Sequence, residues 1–294
     1  MAARPVPYFI RKRQLTGFVF FLPALIFIII FLLGPIIVAI GISLTKYSIL
    51  SAPKFVGFKN YIRIFNMPTF WKSLSITGIY IVSRLFFIFL IAFFMAAIIN
   101  KRIPLAGFFQ SAYFMPYVFP LAVTAIVWKI FYRPFGFIES LTNLFGIEVI
   151  GWLSSERTAL IAVTITTVWS AVGYYSVIIL AGLQTIPKAA LESSAIDGAN
   201  RFQTFFYIIL PLLKPTLFYF IVVGTINSIR GFSPFLVMTQ GGPGDATRVI
   251  GYMIYEYGFV YLKMGMGSAM SVILLIIILI FTLIQRKFFR YEGG

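Results

Sequence analysis

Glu192, Ser193, Ser194, Asp197 and Gly198 bring two carboxylates, two hydroxyls and a glycine into seven residues. Such a set can make polar contacts to a partner or end a helix. It cannot supply thiol or imidazole chemistry, because the 294-residue chain has no Cys and no His. That removes disulfides, the usual zinc ligands and the commonest general base. The acids number eight: Glu139, Glu148, Glu156, Glu192, Asp197, Asp245, Glu256 and Glu292. Only Glu192 and Asp197 share a segment, so paired-carboxylate catalysis is not expected. Gly is never followed directly by Lys. The phosphate loop of nucleotide hydrolases is therefore missing, and the chain is not expected to hydrolyse ATP or to be an enzyme.

A second set has a different chemistry. Trp169, Tyr174 and Tyr175 fall in one apolar run, and Asn227, Ser228 and Arg230 near the end of another. Aromatic rings stack on the apolar faces of sugars, and amide, hydroxyl and guanidinium groups bond sugar hydroxyls. Polar groups within membrane spans are costly and default to a functional hypothesis. Trp169, Tyr174, Tyr175, Asn227 and Arg230 are thus candidates to line a pathway. The same residues also fit an interfacial aromatic belt and a snorkelling cation. Arg84, nearer mid-span, has no specific role in this reading.

The elements that position these residues follow from composition. Hydrophobic residues make up 60% of the chain and charged ones 11%, where soluble domains carry about 25% charged. There is too little polar surface for a soluble coat, so the class is an integral membrane protein. The net charge of +16 does not point to nucleic acid, because the cations punctuate apolar runs as topology signals do. About 20 apolar residues cross a bilayer core, and six such spans emerge: 17–44, 74–100, 107–131, 158–183, 202–226 and 268–285. The first follows Arg11, Lys12 and Arg13, and its charge-free run is far too long for a cleavable signal. An even count puts both termini on one side. The segments on that side hold 11 Lys and Arg in 52 residues, against 10 in 93 for the opposite side. The denser set is expected to be cytoplasmic, with tails 1–16 and 286–294 inside and loop 45–72 outside. That outer loop runs against the rule, with Lys46, Lys54, Lys59, Arg63 and Lys72 and no acid. Its aromatics suit a segment lying in the interface. Prolines 23, 35, 116, 120, 211 and 215 each remove a helical hydrogen bond.

The inner loop 184–203 reads as a helix, 187–198. Pro187 suits a first turn, Lys188, Glu192 and Ile196 share a face, Gly198 offers a left-handed stop, and Asn200 can cap the next helix. Physics alone also allows a mere interfacial connector. The spacing is more specific. Glu192-Ser193-Ser194, three residues, Gly198, nine residues, Ile208, one residue, Leu210-Pro211 resembles the EAA---G---------I-LP signature. That signature belongs to permease subunits of binding-protein-dependent ABC importers. The carbohydrate-uptake (maltose and glycerol-phosphate permease-like) branch is also resembled in Leu183–Pro187, Ile196–Ala199, Phe55-Val56-Gly57 with Asn60-Tyr61, and Gly241–Gly244. The resemblance runs from about residue 15 to 287, and departs from the signature in Ser-Ser for Ala-Ala.

It implies an all-α bundle, the type-1 transmembrane domain of ABC importers: a peripheral first span and a core over 73–285 that carries the coupling helix. Glu192, Ser193, Ser194, Asp197 and Gly198 would engage an ATPase, with Glu192 making a polar contact and Gly198 forming the turn. Gln240–Gly244 would lie near the pathway mouth. Implied partners are a second permease subunit, two cytoplasmic ATPase subunits, an extracytoplasmic solute-binding protein, a sugar and membrane lipid, in a prokaryotic cell membrane. No cofactor is expected in this chain, with ATP and Mg on the ATPase subunits. A glycerol phosphate or amino acid permease, and more remotely a stand-alone secondary transporter, are the alternatives.

Overall fold

The computed structural model describes residues 8–101, 103–146 and 151–288. The ends of both expected tails, together with Glu148 and Glu292, lie outside the described residues. The elements form two compact units, one from residues up to Ile64 with Tyr257–Ile273, the other from Phe65–Glu256 with residues from Leu274 onward.

In the first unit, α1 (Tyr8–Phe27) passes through a π-helical stretch, Ile28–Leu33, into α2 (Gly34–Ser43). None of its most apolar window is buried, so a helix apolar all round is left for lipid to cover. A two-stranded antiparallel hairpin follows, β1 (Thr45–Ser48) and β2 (Ser51–Phe55), then α3 (Lys59–Phe65). The sequence reading gave this stretch only as an interfacial loop. Pro53 within β2 hides the alternating pattern, and a strand carrying proline belongs at an edge.

In the second unit, α4 (Pro68–Asn100) packs along α8 (Ala159–Gln184). Ala92 and Ala96, one turn apart and fully buried, share a core with Ile88, Ile179 and Leu183. Small residues at that spacing let two backbones approach in lipid. Between these helices come α5 (Ala106–Val118), α6 (Leu121–Phe131) and α7 (Phe137–Leu144). The α5–α6 pair bends by 95° within the proline-bearing span expected over 107–131. Phe119 is extended at φ −75°, ψ 140°, as a residue before proline must be, and Pro120 has no N–H to continue the helix. Pro116 stays inside α5. At 13 and 11 residues, neither piece alone reaches the roughly 20 needed to cross.

After α9 (Lys188–Ile196) come α10 (Arg201–Thr204), a π-helical stretch Phe205–Ile209, α11 (Leu210–Leu212) and α12 (Lys214–Arg230). The wide turn immediately precedes Pro211, where the regular ladder loses a donor. The apolar helix long enough to cross is Lys214–Met238, later than the expected 202–226. It includes α13 (Ser233–Met238); α14 (Ile250–Tyr255) then leads through π-helical Glu256–Val260 to α15 (Met264–Phe288). The backbone N–H of Ile250 donates to Thr77 Oγ1 at 2.8 Å, fixing α14 on α4. Among the described residues five helices are long and apolar enough to span a membrane, and the bent pair makes a sixth if counted as one.

Gly173 explains how α5 reaches α8. A Cβ there would collide with the backbone carbonyl of Tyr113, so the helices touch backbone to backbone. Gly173→Leu is expected to force them apart and to lower the folded fraction after detergent extraction. Size-exclusion chromatography of variant and parent would measure it.

Candidate functional site

Two polar sites emerge in the second unit. The first is the turn after α9. Gly198 sits at φ +74°, the left-handed region that glycine enters without steric cost. Its N–H donates to Ala195 O at 3.2 Å, and the N–H of Ala199 donates to Ser194 O at 3.0 Å. These two bonds form the Schellman closure of a helix C-terminus. Asn200 then caps α10: its Oδ1 accepts from Gln203 N at 2.9 Å, and Gln203 Oε1 accepts from Asn200 N at 2.8 Å. The cap therefore falls to Asn200 and not to the exposed Asp197. Glu192, Ser193, Asp197 and Gly198 are all exposed, whereas Ser194 is buried. Ser194 Oγ donates to Leu191 O at 2.8 Å, so one of the two hydroxyls that replace alanine is used within its own helix. Beside the turn lies a cleft of about 530 Å³, lined by Ser193, Asp197, Gly198, Gln203 and Tyr207 among others. This segment thus offers two open carboxylates at a short helix whose exit is closed by a Schellman turn and followed at once by a capping box.

The second site lies among α4, α5, α8 and α12. Tyr174 stacks on Tyr117 of α5, with ring centroids 4.4 Å apart and planes 13° from parallel. Its hydroxyl meets that of Tyr219 on α12 at 2.9 Å. Tyr175, only 1% exposed, packs edge-on to Phe220. Its hydroxyl accepts a hydrogen bond from Asn227 Nδ2 at 3.3 Å. At the next residue, Ser228 Oγ donates to Gly224 O at 2.7 Å and accepts from Arg84 Nη1 at 2.8 Å. Gly224 leaves room for this crossing, since a Cβ there would press on Leu85 at 2.5 Å. The result is a paired-ring surface beside two hydrogen-bonded pairs, phenol with amide and hydroxyl with guanidinium.

Of the sequence candidates, Tyr174, Tyr175 and Asn227 converge here. Trp169 does not. It is 43% exposed and packs against Trp128 at 5.5 Å, on an apolar face. Arg230 ends α12 with its side chain exposed, where a cation suits the helix dipole. The residues missed are Tyr117, Tyr219 and the partnership of Arg84 with Ser228. Arg84 carried a signal in its charge within a span; the tyrosines are legible only once the helices are packed.

Three other acids are engaged elsewhere. Glu139 accepts from Phe135 N at 2.7 Å just ahead of α7. Arg248 pairs with Asp245 at 3.0 Å and with Glu256 at 2.9 Å. Near them the 240–247 loop is tied down, with Thr247 Oγ1 donating to Gly242 O at 2.7 Å and Lys72 Nζ to Gly244 O at 2.7 Å.

The family described as binding-protein-dependent transport system inner membrane component matches residues 6–290. The chain belongs to this family. Among its relatives is the trehalose/maltose transport system permease protein MalF of Thermococcus litoralis, 30% identical over 283 residues and 96% of each chain. Another is the sn-glycerol-3-phosphate transport system permease protein UgpA of Pectobacterium atrosepticum, 31% identical over 276 residues and 92% of each. In fold the chain is similar to a bacterial ABC transporter involved in the import of the acidic polysaccharide alginate, with a TM-score of 0.80 and 22% identity over 96% of this chain and 98% of that one. As a transport permease of this family, the protein is an integral membrane component with the architecture of a type-1 ABC importer transmembrane domain.

Proposed function

We propose that this chain is a translocation subunit of an ATP-driven importer for a sugar or oligosaccharide, in a prokaryotic inner or plasma membrane, with both termini cytoplasmic. The observation that carries the reading is the Tyr117–Tyr174 stack beside the Tyr175–Asn227 hydrogen bond, all on helices of the packed core. Parallel rings next to phenol and amide groups suit a ligand with apolar faces and a rim of hydroxyls. The relative named for trehalose and maltose supports the same chemistry. In this reading a second permease subunit completes the pathway, and an extracytoplasmic binding protein delivers the sugar. Two ATPase subunits, which hold ATP and Mg, grip α9 through Glu192, Asp197 and the turn at Gly198. ATP-driven closure of the motor moves α9 and opens the pathway outward, and hydrolysis resets it.

The test uses the assembled complex in proteoliposomes. Trehalose or a maltodextrin, loaded on the binding protein, is expected to stimulate ATP hydrolysis and to accumulate inside. Asn227→Leu removes the partner of a buried phenol, a loss of about 1–3 kcal/mol, and uptake is expected to fall roughly tenfold at unchanged expression. No stimulation by any neutral sugar would defeat the reading. A phosphorylated substrate is the second reading, favoured by the buried guanidinium of Arg84 and by the relative named for sn-glycerol-3-phosphate. The same assay with that compound separates the two.

A further inference from the structure

The first unit contains no Asp and no Glu in its sequence, 1–64 with 257–273. Four of its cations meet in one place. Lys46, Lys59, Arg63 and Lys263 line a cavity of about 370 Å³ bounded by the hairpin, α3 and the start of α15. The framework of this cavity is held by hydrogen bonds and a close backbone approach. Buried Asn60 donates through Nδ2 to Ser43 O at 2.7 Å and to Thr45 O at 2.8 Å. Ser43 Oγ and Tyr61 OH share a hydrogen bond at 2.6 Å. Gly265 lies so close that a Cβ would collide with the carbonyl of Thr45.

Among the described residues no ion pair compensates the charges on this frame. Lys46 stands directly opposite Lys54 across the hairpin, a like-charge pairing that opposes strand association. Both ion pairs formed among the described residues use Arg248, so none serves these cations. The Nζ of Lys263 lies 5.8 Å from the centre of the Tyr261 ring. The depth of the cavity is also defined. It lies where the first long apolar helix ends at Ser43 and the last begins at Met264, the level of lipid headgroups. Just below it Ile37 and Ile40 of α2 are exposed, an apolar flank leading away from the cations. Charge at headgroup depth with an apolar track beside it matches an anion that carries acyl chains.

We propose that this cavity binds the phosphate of an anionic phospholipid. Lys46, Lys59 and Lys263 act as point charges and Arg63 as a planar fork for two phosphate oxygens, while the acyl chains lie along α2. This also accounts for a basic loop on the side of the membrane where basic residues are normally sparse.

Native mass spectrometry of the full chain in neutral detergent tests the proposal, using phosphatidylglycerol and phosphatidylcholine of identical acyl chains. The parent is expected to retain one phosphatidylglycerol in preference to phosphatidylcholine, and to keep it in millimolar inorganic phosphate. The Lys46→Gln, Lys59→Gln, Arg63→Gln triple variant is expected to lose roughly a hundredfold in retention and fall to the phosphatidylcholine level. Arg63→Gln alone gives an intermediate loss if the triple variant is poorly folded, and Arg157→Gln, outside the cavity, gives none. Equal retention of both lipids by the parent, or an unchanged preference in the variants, overturns the proposal. Displacement by inorganic phosphate would assign the site to a free anion and also overturn it. Unchanged lipid retention with weakened capture of the binding protein would assign the cations to a protein contact and overturn it too.

Discussion

Ala195→Pro is expected to abolish ATP-driven uptake while the membrane helices still insert. α9 is nine residues long, shorter than any helix stable on its own in water. Its end depends on bonds that converge on position 195 and its neighbours: Gly198 N to Ala195 O, Ala199 N to Ser194 O, and Ser194 Oγ to Leu191 O. Proline at this point removes an i to i−4 bond and pushes on the carbonyl of Leu191, at a cost of about 3 kcal/mol. That corresponds to a fall of roughly a hundredfold in the population of intact helix. The exposed carboxylates of Glu192 and Asp197 then lose their fixed spacing. Uptake and sugar-stimulated ATP hydrolysis should both drop to background in proteoliposomes, while the amount of chain in the membrane, read by immunoblot, stays at the parental level. Ala195→Gly retains the N–H and costs only about 1 kcal/mol, so it should give partial activity. Parental uptake by the proline variant would mean that α9 does not transmit the motor's stroke.

How much of this was legible in the sequence depends on the range over which each feature is determined. The α9 turn is local chemistry: Gly198 for the left-handed stop and Asn200 with Gln203 for the cap are readable because every atom involved lies within a few residues. Apolar length gave the long helices for the same reason. The bend at Phe119–Pro120 is half legible. Pro116 and Pro120 look alike in a list of residues, yet only Pro120 breaks the helix, because the backbone before it turns extended. The pathway set shows the limit from both sides. Trp169 precedes Tyr174 by five residues, about 140° around a helix at 3.6 residues per turn, so helical phase alone separates it from the tyrosine face. Tyr117 and Tyr219, by contrast, come from helices far apart in sequence, and only the backbone contact at Gly173 tells that α5 meets α8.

Arg84→Met is expected to leave the chain as stable as its parent, or more so, and to cut transport sharply. Arg84 is 7% exposed on a helix long and apolar enough to span the membrane. Among the described residues its Nη1 has Ser228, its Nε has no hydrogen-bond partner, and both ion pairs lie at Arg248. A buried cation held by one neutral hydroxyl is costly, so an apolar side chain of similar length removes a burden from the fold. Ser228 keeps its bond to Gly224 O and is not orphaned. A residue with that energetic profile is retained for what it does to a ligand or a moving helix. Thermal unfolding in detergent should therefore show an unchanged or higher midpoint, with uptake down about tenfold or more if the guanidinium contributes the 1.5–3 kcal/mol typical of charged hydrogen bonds. The substrate dependence discriminates further. If the guanidinium hydrogen-bonds a neutral sugar, maltodextrin uptake falls. If it answers a substrate phosphate, sn-glycerol-3-phosphate uptake falls and sugar uptake was never present. A lower midpoint together with parental uptake would reverse the argument and make Arg84 a structural tie between α4 and α12.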